Sequence, residues 1–233
     1  MKPGLYLTIV SLILAVFLSG CLEQKEDSEV AAAEGAIKIG VLQSLTGDLG
    51  SYGGPMSDAI KLAAKEINAN GGLLGKQVVL LVEDDQTNNV AAVDAVNKLV
   101  KVDRVAAIVG ATGSGQSMSV IDIITKSGVL QISSSNTGTD FTNYPDDDLY
   151  FRTASSDSLQ GAAMAKLAQA RGYKTASTIV INNPYGVGFE DVFIQAFEAD
   201  GGRVLEKVSY DPSQTVFDSE VEKIAASNPE FIM

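Results

Sequence analysis

Val105-Ala-Ala-Ile-Val-Gly-Ala-Thr-Gly-Ser-Gly-Gln-Ser117, VAAIVGATGSGQS, joins an apolar run to a loop of glycines and hydroxyls, and a helical pattern begins at Gly115. A short run rich in Val and Ile suits a strand buried on both faces. The loop fits the phosphate-cradling spacing G-x-x-x-x-G-K-[ST] at every fixed position except one, because Gln116 stands where the lysine belongs. Two readings follow: a nucleotide loop without its cation, or a strand-to-helix loop that holds another anion through backbone N–H groups and hydroxyls.

The same alternation extends in both directions. IKIGVL (37 to 42), QVVLLV (77 to 82) and GVLQIS (128 to 133) are further Val/Ile-rich runs. Between them lie amphipathic stretches, with Ile60, Ala63, Ala64 and Ile67 on one face, then Val93, Val96, Leu99 and Val100, then Met118, Ile121 and Thr125. Strand and helix in turn predict an α/β protein whose parallel sheet carries helices on both faces. A turn-rich break, SSSNTGTDFTNYPDDD (133 to 148), is followed by the same pattern: LYFR, a helix from about Asp157, STIVI, a helix bearing Phe189, Val192, Phe193 and Phe197, RVLEKVSY, a helix near 217 to 226, and EFIM. We therefore expect two doubly wound parallel-sheet lobes, 37–152 and 153–233. The second is expected to be incomplete, since the chain stops at Met233 in a strand-like run with no closing helix. No close repeat at a short fixed period is visible, which argues against a solenoid.

The amino terminus reads differently. Lys2 precedes an almost unbroken apolar run from Leu5 to Leu18, shorter than the roughly 20 residues of a membrane span. Residues 1–20 are expected to be a secretory signal peptide. They end in LSGC, which resembles the lipobox of prokaryotic lipoproteins, and that resemblance implies a lipidated Cys21 as the first mature residue. Two acyl chains are enough for stable anchoring. The alternative is an uncleaved N-terminal anchor. Residues 21–36 are polar and small beyond the cysteine and are expected to form a tether.

Composition removes several kinds of chemistry. One cysteine allows no internal disulfide, and the absence of histidine rules out a His-based triad or a His-ligated zinc. Removing residues 1–20 leaves 16 basic side chains (17 less Lys2) against 29 acidic ones, a net charge of −13. Such a chain is a poor partner for nucleic acid or anionic lipid, so membrane attachment would run through the lipid anchor. Asp146 to Asp148 lack the alternating spacing of a calcium loop. Asp84 and Asp85 are adjacent at a strand end and should point to opposite faces, a poor acid/base pair. No metal or cofactor is expected.

In an open parallel sheet, ligands bind beyond the carboxyl ends of the strands. Those loops are QSLTGDLGSYGG (43 to 54), ATGSGQS and SSSNTGT, of which the last two are rich in hydroxyls and free of positive charge. They could hold a carboxylate without lysine or arginine. Taken singly, Ser114 reads more readily as a helix cap, and Asp157-x-x-Gln160 as a capping box.

IKIGVLQSLTGDLGSYG, EINANGGLLGKQVVLLVEDDQ, VAAIVGATGSGQS, GVLQISSSNT, LYFRTASSDSLQGAAMA and NNPYGVGFEDVF are together similar to the periplasmic leucine/isoleucine/valine-binding protein family, the type I solute-binding proteins of ABC importers. The resemblance runs from Ile37 to the end of the chain. It implies two lobes that close on a zwitterionic amino acid or amide and deliver it to an ABC permease, with no catalysis. It further implies that Ser114 and Thr137 meet the ligand carboxylate, that Ser135 turns its carbonyl to the ammonium, and that Asp157 lies near that ammonium. Tyr52 and Tyr185 would cover the ligand from either lobe. Asn182 and Asn183 depart from the family, which often has an acidic residue there. A ligand-sensing receptor ectodomain of the same fold and a P-loop-like nucleotide enzyme are the rival readings.

Overall fold

The computed structural model describes residues 35–233. The leader, Cys21 and all but the last two residues of the tether lie outside the described residues.

Five parallel strands form the first sheet: β1 Ile37–Gln43, β2 Val78–Asp84, β3 Ala107–Gly110, β4 Leu130–Ser133 and β5 Tyr150–Arg152, in the order β2-β1-β3-β4-β5. The strands are linked by α1 Gly50–Ala69, α2 Asn89–Asn97 and α3 Ser114–Thr125, and a 3-10 turn, Thr139–Asn143, leads toward β5. A π-helical segment, Lys98–Asp103, extends α2. Beyond β5 come α4 Asp157–Ala170, β6 Thr175–Ile181, α5 Pro184–Ala199, β7 Arg203–Tyr210, α6 Asp218–Ser227 and β8 Phe231–Ile232. The second sheet is also parallel, in the order β7-β6-β8. It therefore begins with the same winding as the first, its earliest strand flanked by the two that follow.

Burial explains why each unit holds. Leu42, Val96, Leu99, Ile108, Val120 and Ile124 are sealed between the first sheet and helices α2 and α3. In the second unit Phe193 and Phe197, both fully buried, stack at 5.3 Å between centroids, and Phe231 meets Phe193 edge-on at 5.9 Å. Gly161 lets α4 pack tightly on α5, since a Cβ there would come within 2.8 Å of the Val192 side chain.

One expectation fails at the start of α1. Residues 43 to 54 read as a glycine-rich loop, yet the helix begins at Gly50 and takes in Tyr52, Gly53, Gly54 and Pro55. Three glycines and a proline are unfavourable in a helix by propensity. Tertiary packing overrides this, because Gly53 is pressed against the Ser44 carbonyl so closely that a Cβ would overlap it.

Candidate functional site

In the first sheet the winding changes direction between β1 and β3, and the carboxyl ends of those strands form a crevice where ligands of open α/β sheets sit. Buried hydrogen bonds fix its floor. The Thr112 hydroxyl donates to Gln43 Oε1 at 2.6 Å and accepts from the Ser44 N–H at 3.0 Å. Ser133 Oγ donates to the Ala111 carbonyl at 2.9 Å, and Ser135 Oγ to that of Thr112 at 2.7 Å. Asn136 Nδ2 reaches both carbonyls at 3.2 Å, while its Oδ1 accepts from the Tyr150 hydroxyl at 2.8 Å. These bonds tie the loop after β3 to the ends of β1 and β4.

Neither capping assignment survives. The N-cap of α3 is Gly113, no side chain caps that helix, and Ser114, Gly115 and Gln116 are buried at its start. The first amide recorded to donate within the turn is that of Ser117, to the Gly113 carbonyl at 3.1 Å. The amides of Ser114, Gly115 and Gln116 have no partner among the described residues, and a helix start of this kind attracts negative charge. The Ser114 hydroxyl instead accepts from the Thr137 and Gly138 N–H groups, each at 3.3 Å. For α4 the cap is Ser156, which accepts from Ser158 N–H, while Asp157 is the first helical residue and accepts from Gln160 Nε2 at 2.9 Å.

Asp157 is the most unusual group here. It is 0% exposed, and its Oδ2 has no hydrogen-bond partner. Burial raises its pKa above the ordinary carboxylate value, an effect partly offset by the nearby Thr137 hydroxyl and by the charge of Arg152. Arg152, at the end of β5, donates to the Gly138 carbonyl at 2.7 Å and to Thr142 Oγ1 at 2.9 Å, bracing the loop from its far side. Tyr185 stacks on Phe189 at 6.1 Å, and its pKa is raised by burial and then by the neighbouring Asp157 and Tyr210.

The structure thus joins Ser114, Thr137 and Asp157 in one network, places Ser135 on the same floor and sets Tyr185 beside Asp157. Tyr52, in the first turn of α1, is 61% exposed and has no hydrogen bond into the cluster among the described residues. Asn183, where the family often carries an acid, caps α5 by accepting from the Gly186 N–H at 3.0 Å. Asp84 and Asp85 both tie the loop after β1 to the turn after β2, through different groups. Asp84 binds the Leu45 and Thr46 amides at 2.8 and 3.2 Å and the Thr46 hydroxyl at 2.6 Å. Asp85, fully buried, binds the Ser44 hydroxyl at 2.6 Å and the Thr87 amide at 2.9 Å. Sequence reading missed Thr112, Asn136 and Arg152; their only signal was a place in or beside the hydroxyl-rich loops. Among the described residues no three His, Cys, Asp or Glu side chains gather as metal ligands.

Residues 36–233 match the family model described as periplasmic binding protein, and the chain belongs to that family. It is similar to the Leu/Ile/Val-binding protein BraC3 of Rhizobium johnstonii, 32% identical over 171 residues that cover 72% of this chain and 46% of that one. The leucine-binding protein LivK of Thermotoga maritima superposes with a TM-score of 0.77 at 25% identity, covering 84% of this chain and 55% of that one. LivJ of Streptococcus pneumoniae, a branched-chain amino acid transporter substrate-binding protein solved with isoleucine, gives 0.73 at 27% identity, over 84% of this chain and 56% of that one. The chain spans about half the length of the relatives it matches.

Proposed function

We propose that this chain is the ligand-capturing part of an extracytoplasmic solute-binding protein, anchored through lipid on Cys21, that closes lobes 37–152 and 153–233 on an amino acid or amide and presents it to an ABC permease. It makes and breaks no bond. The observation that carries this reading is the pairing of a buried carboxylate, Asp157, whose Oδ2 has no partner, with the uncapped buried start of α3. A zwitterion complements both. Its carboxylate takes the free amides at α3 and hydroxyls from Ser114 and Thr137, while its ammonium takes Asp157 and the Ser135 carbonyl. Tyr52 and Tyr185 flank the side chain. Charge-assisted bonds contribute about 1.5 to 3 kcal/mol each. A few of them support micromolar binding, about −8 kcal/mol, after ordering costs.

The nucleotide reading has less support, because Gln116 Nε2 is engaged with Asn89 Oδ1 at 3.2 Å and brings no positive charge. A thermal-shift panel of amino acids, amides, urea and nucleotides on the full mature protein tests the proposal. Stabilisation by an amino acid or amide is expected. Stabilisation by ATP with magnesium alone would overturn it.

A further inference from the structure

The start of α5 meets the start of α3 at Gly115 and the loop after β4 at Gly138 and Gly188. A Cβ on Gly115 would lie 3.7 Å from Asn183 Cβ and 3.9 Å from Pro184 Cδ, ordinary van der Waals contact. On Gly138 it would lie 3.3 Å from the Pro184 carbonyl oxygen, which is tight. On Gly188 it would lie 2.5 Å from Thr139 Oγ1, so that the Thr139 side chain would have to shift, and 3.3 Å from Thr139 N, which is tight. Gly188 and Gly138 are both buried. The Gly188 to Thr139 contact touches none of the groups assigned to the ligand, whereas a Cβ on Gly138 would also lie 3.4 Å from Ser114 Cβ.

From this seam we infer that Gly188 is a positioning residue for ligand capture: the absence of a side chain at 188 sets how closely α5 approaches Thr139, and so whether Tyr185, one turn before it on the same helix, reaches the ligand together with Ser114. The inference rests on the proposed closure of two lobes. It adds that affinity is controlled at a contact that no ligand atom touches. Gly188→Ala inserts a methyl group where Thr139 Oγ1 already stands. Thr139→Ala removes that oxygen, leaving Thr139 Cβ 3.5 Å from the new one.

A cross-link tests the seam without relying on ligand identity. The 3.5 Å separation between Thr139 Cβ and a Cβ at position 188 falls in the range for a disulfide. In a full-length, soluble Cys21→Ser background, Thr139→Cys with Gly188→Cys is oxidised by oxidised glutathione, which accepts the two electrons and becomes two reduced thiols. Small-angle scattering then compares the oxidised and reduced forms. The oxidised form is expected to be the more compact, and L-leucine should speed its formation at least tenfold. Equal radii of gyration, or no cross-link, would overturn the seam. Calorimetry on the wild type reports separately on the ligand: if L-leucine and the other amino acids fail to bind while oxidation still compacts the protein, the ligand reading falls and the seam stands.

Affinity provides the second arm. Gly188→Ala is expected to weaken L-leucine binding at least tenfold, and Gly188→Ala with Thr139→Ala to recover most of the loss. If the double variant binds no better than Gly188→Ala alone, position 188 does not act through Thr139.

Discussion

The backbone N–H of Asp157 donates to the Thr137 carbonyl at 2.8 Å, so the first residue of α4 hangs from the loop that follows β4. Thr137 in turn donates its own N–H to Ser114 Oγ at 3.3 Å. The two groups proposed for the opposite ends of a ligand are thus held by one continuous set of bonds.

If Asp157 serves the ammonium, Asp157→Asn should weaken L-leucine binding at least tenfold, about 1.4 kcal/mol. Stability should hold or rise, since a buried ionisable carboxylate with a free oxygen is replaced by a neutral amide. Calorimetry together with thermal melts checks both. A variant that melts early yet binds normally would assign the residue to folding instead.

The pH dependence follows from the direction of the Asp157 shift. Burial lifts its pKa above the ordinary carboxylate value, against the nearby Thr137 hydroxyl and the Arg152 charge. The ionised form pairs with an ammonium, so affinity should be full above the raised pKa and fall as pH drops through it. Ligand-free stability has the opposite sign. The native state keeps the proton to higher pH than the unfolded chain, so the penalty of the buried charge is present above the folded pKa and fades as pH falls toward the unfolded value. Asp85, also raised by burial and opposed by Ser44 and Thr87, contributes in the same sense. Titration calorimetry across pH on wild type and Asp157→Asn settles it, because only the wild type should show the acid loss of affinity.

Ser114→Ala removes the acceptor for two amides and a hydroxyl at the uncapped start of α3. We expect at least tenfold weaker binding with the fold intact, measured by calorimetry and circular dichroism. Lower stability with unchanged affinity would mean that the hydroxyl only ties the two loops together.

Packing gives predictions that need no ligand. Phe193→Ala empties a fully buried ring site and should cost about 3 to 5 kcal/mol by denaturant unfolding. Gly53→Ala sets two effects against each other. Helix propensity favours alanine by about 1 kcal/mol. The overlap with the Ser44 carbonyl opposes it, and overpacking costs about 1 to 3 kcal/mol. Net destabilisation is expected, and a more stable variant would show that α1 can shift to make room.

The strands and most helices were legible because their apolar periodicity reports burial directly, as in VAAIV and in the Phe193, Phe197 face of α5. The beginning of α1 was not, since Gly50, Gly53, Gly54 and Pro55 argue against a helix until the Ser44 carbonyl is seen beside them. The hydroxyl-rich loops that the sequence displays do lie at the carboxyl ends of β3 and β4, where hydrogen bonds join them. Local spacing nevertheless misassigned Ser114 and Asp157 as caps, because the cap and the first helical residue are one position apart and take the same residue types. The partners of Ser114 are more than twenty residues away in sequence, as is Thr139 from Gly188, and no local pattern encodes such distances.

The shared winding of the two sheets has one further consequence. In each unit the helix after the earliest strand carries a Tyr-Gly pair in its opening turn, Tyr52-Gly53 in α1 and Tyr185-Gly186 in α5. In each the glycine is pressed on a carbonyl at the end of that strand, Ser44 in one and Ile181 in the other. The two tyrosines are therefore structural counterparts, the same local invention present twice in one polypeptide. Each ring therefore stands in the same turn of its own unit, beside a glycine that lets the helix start close onto the strand end.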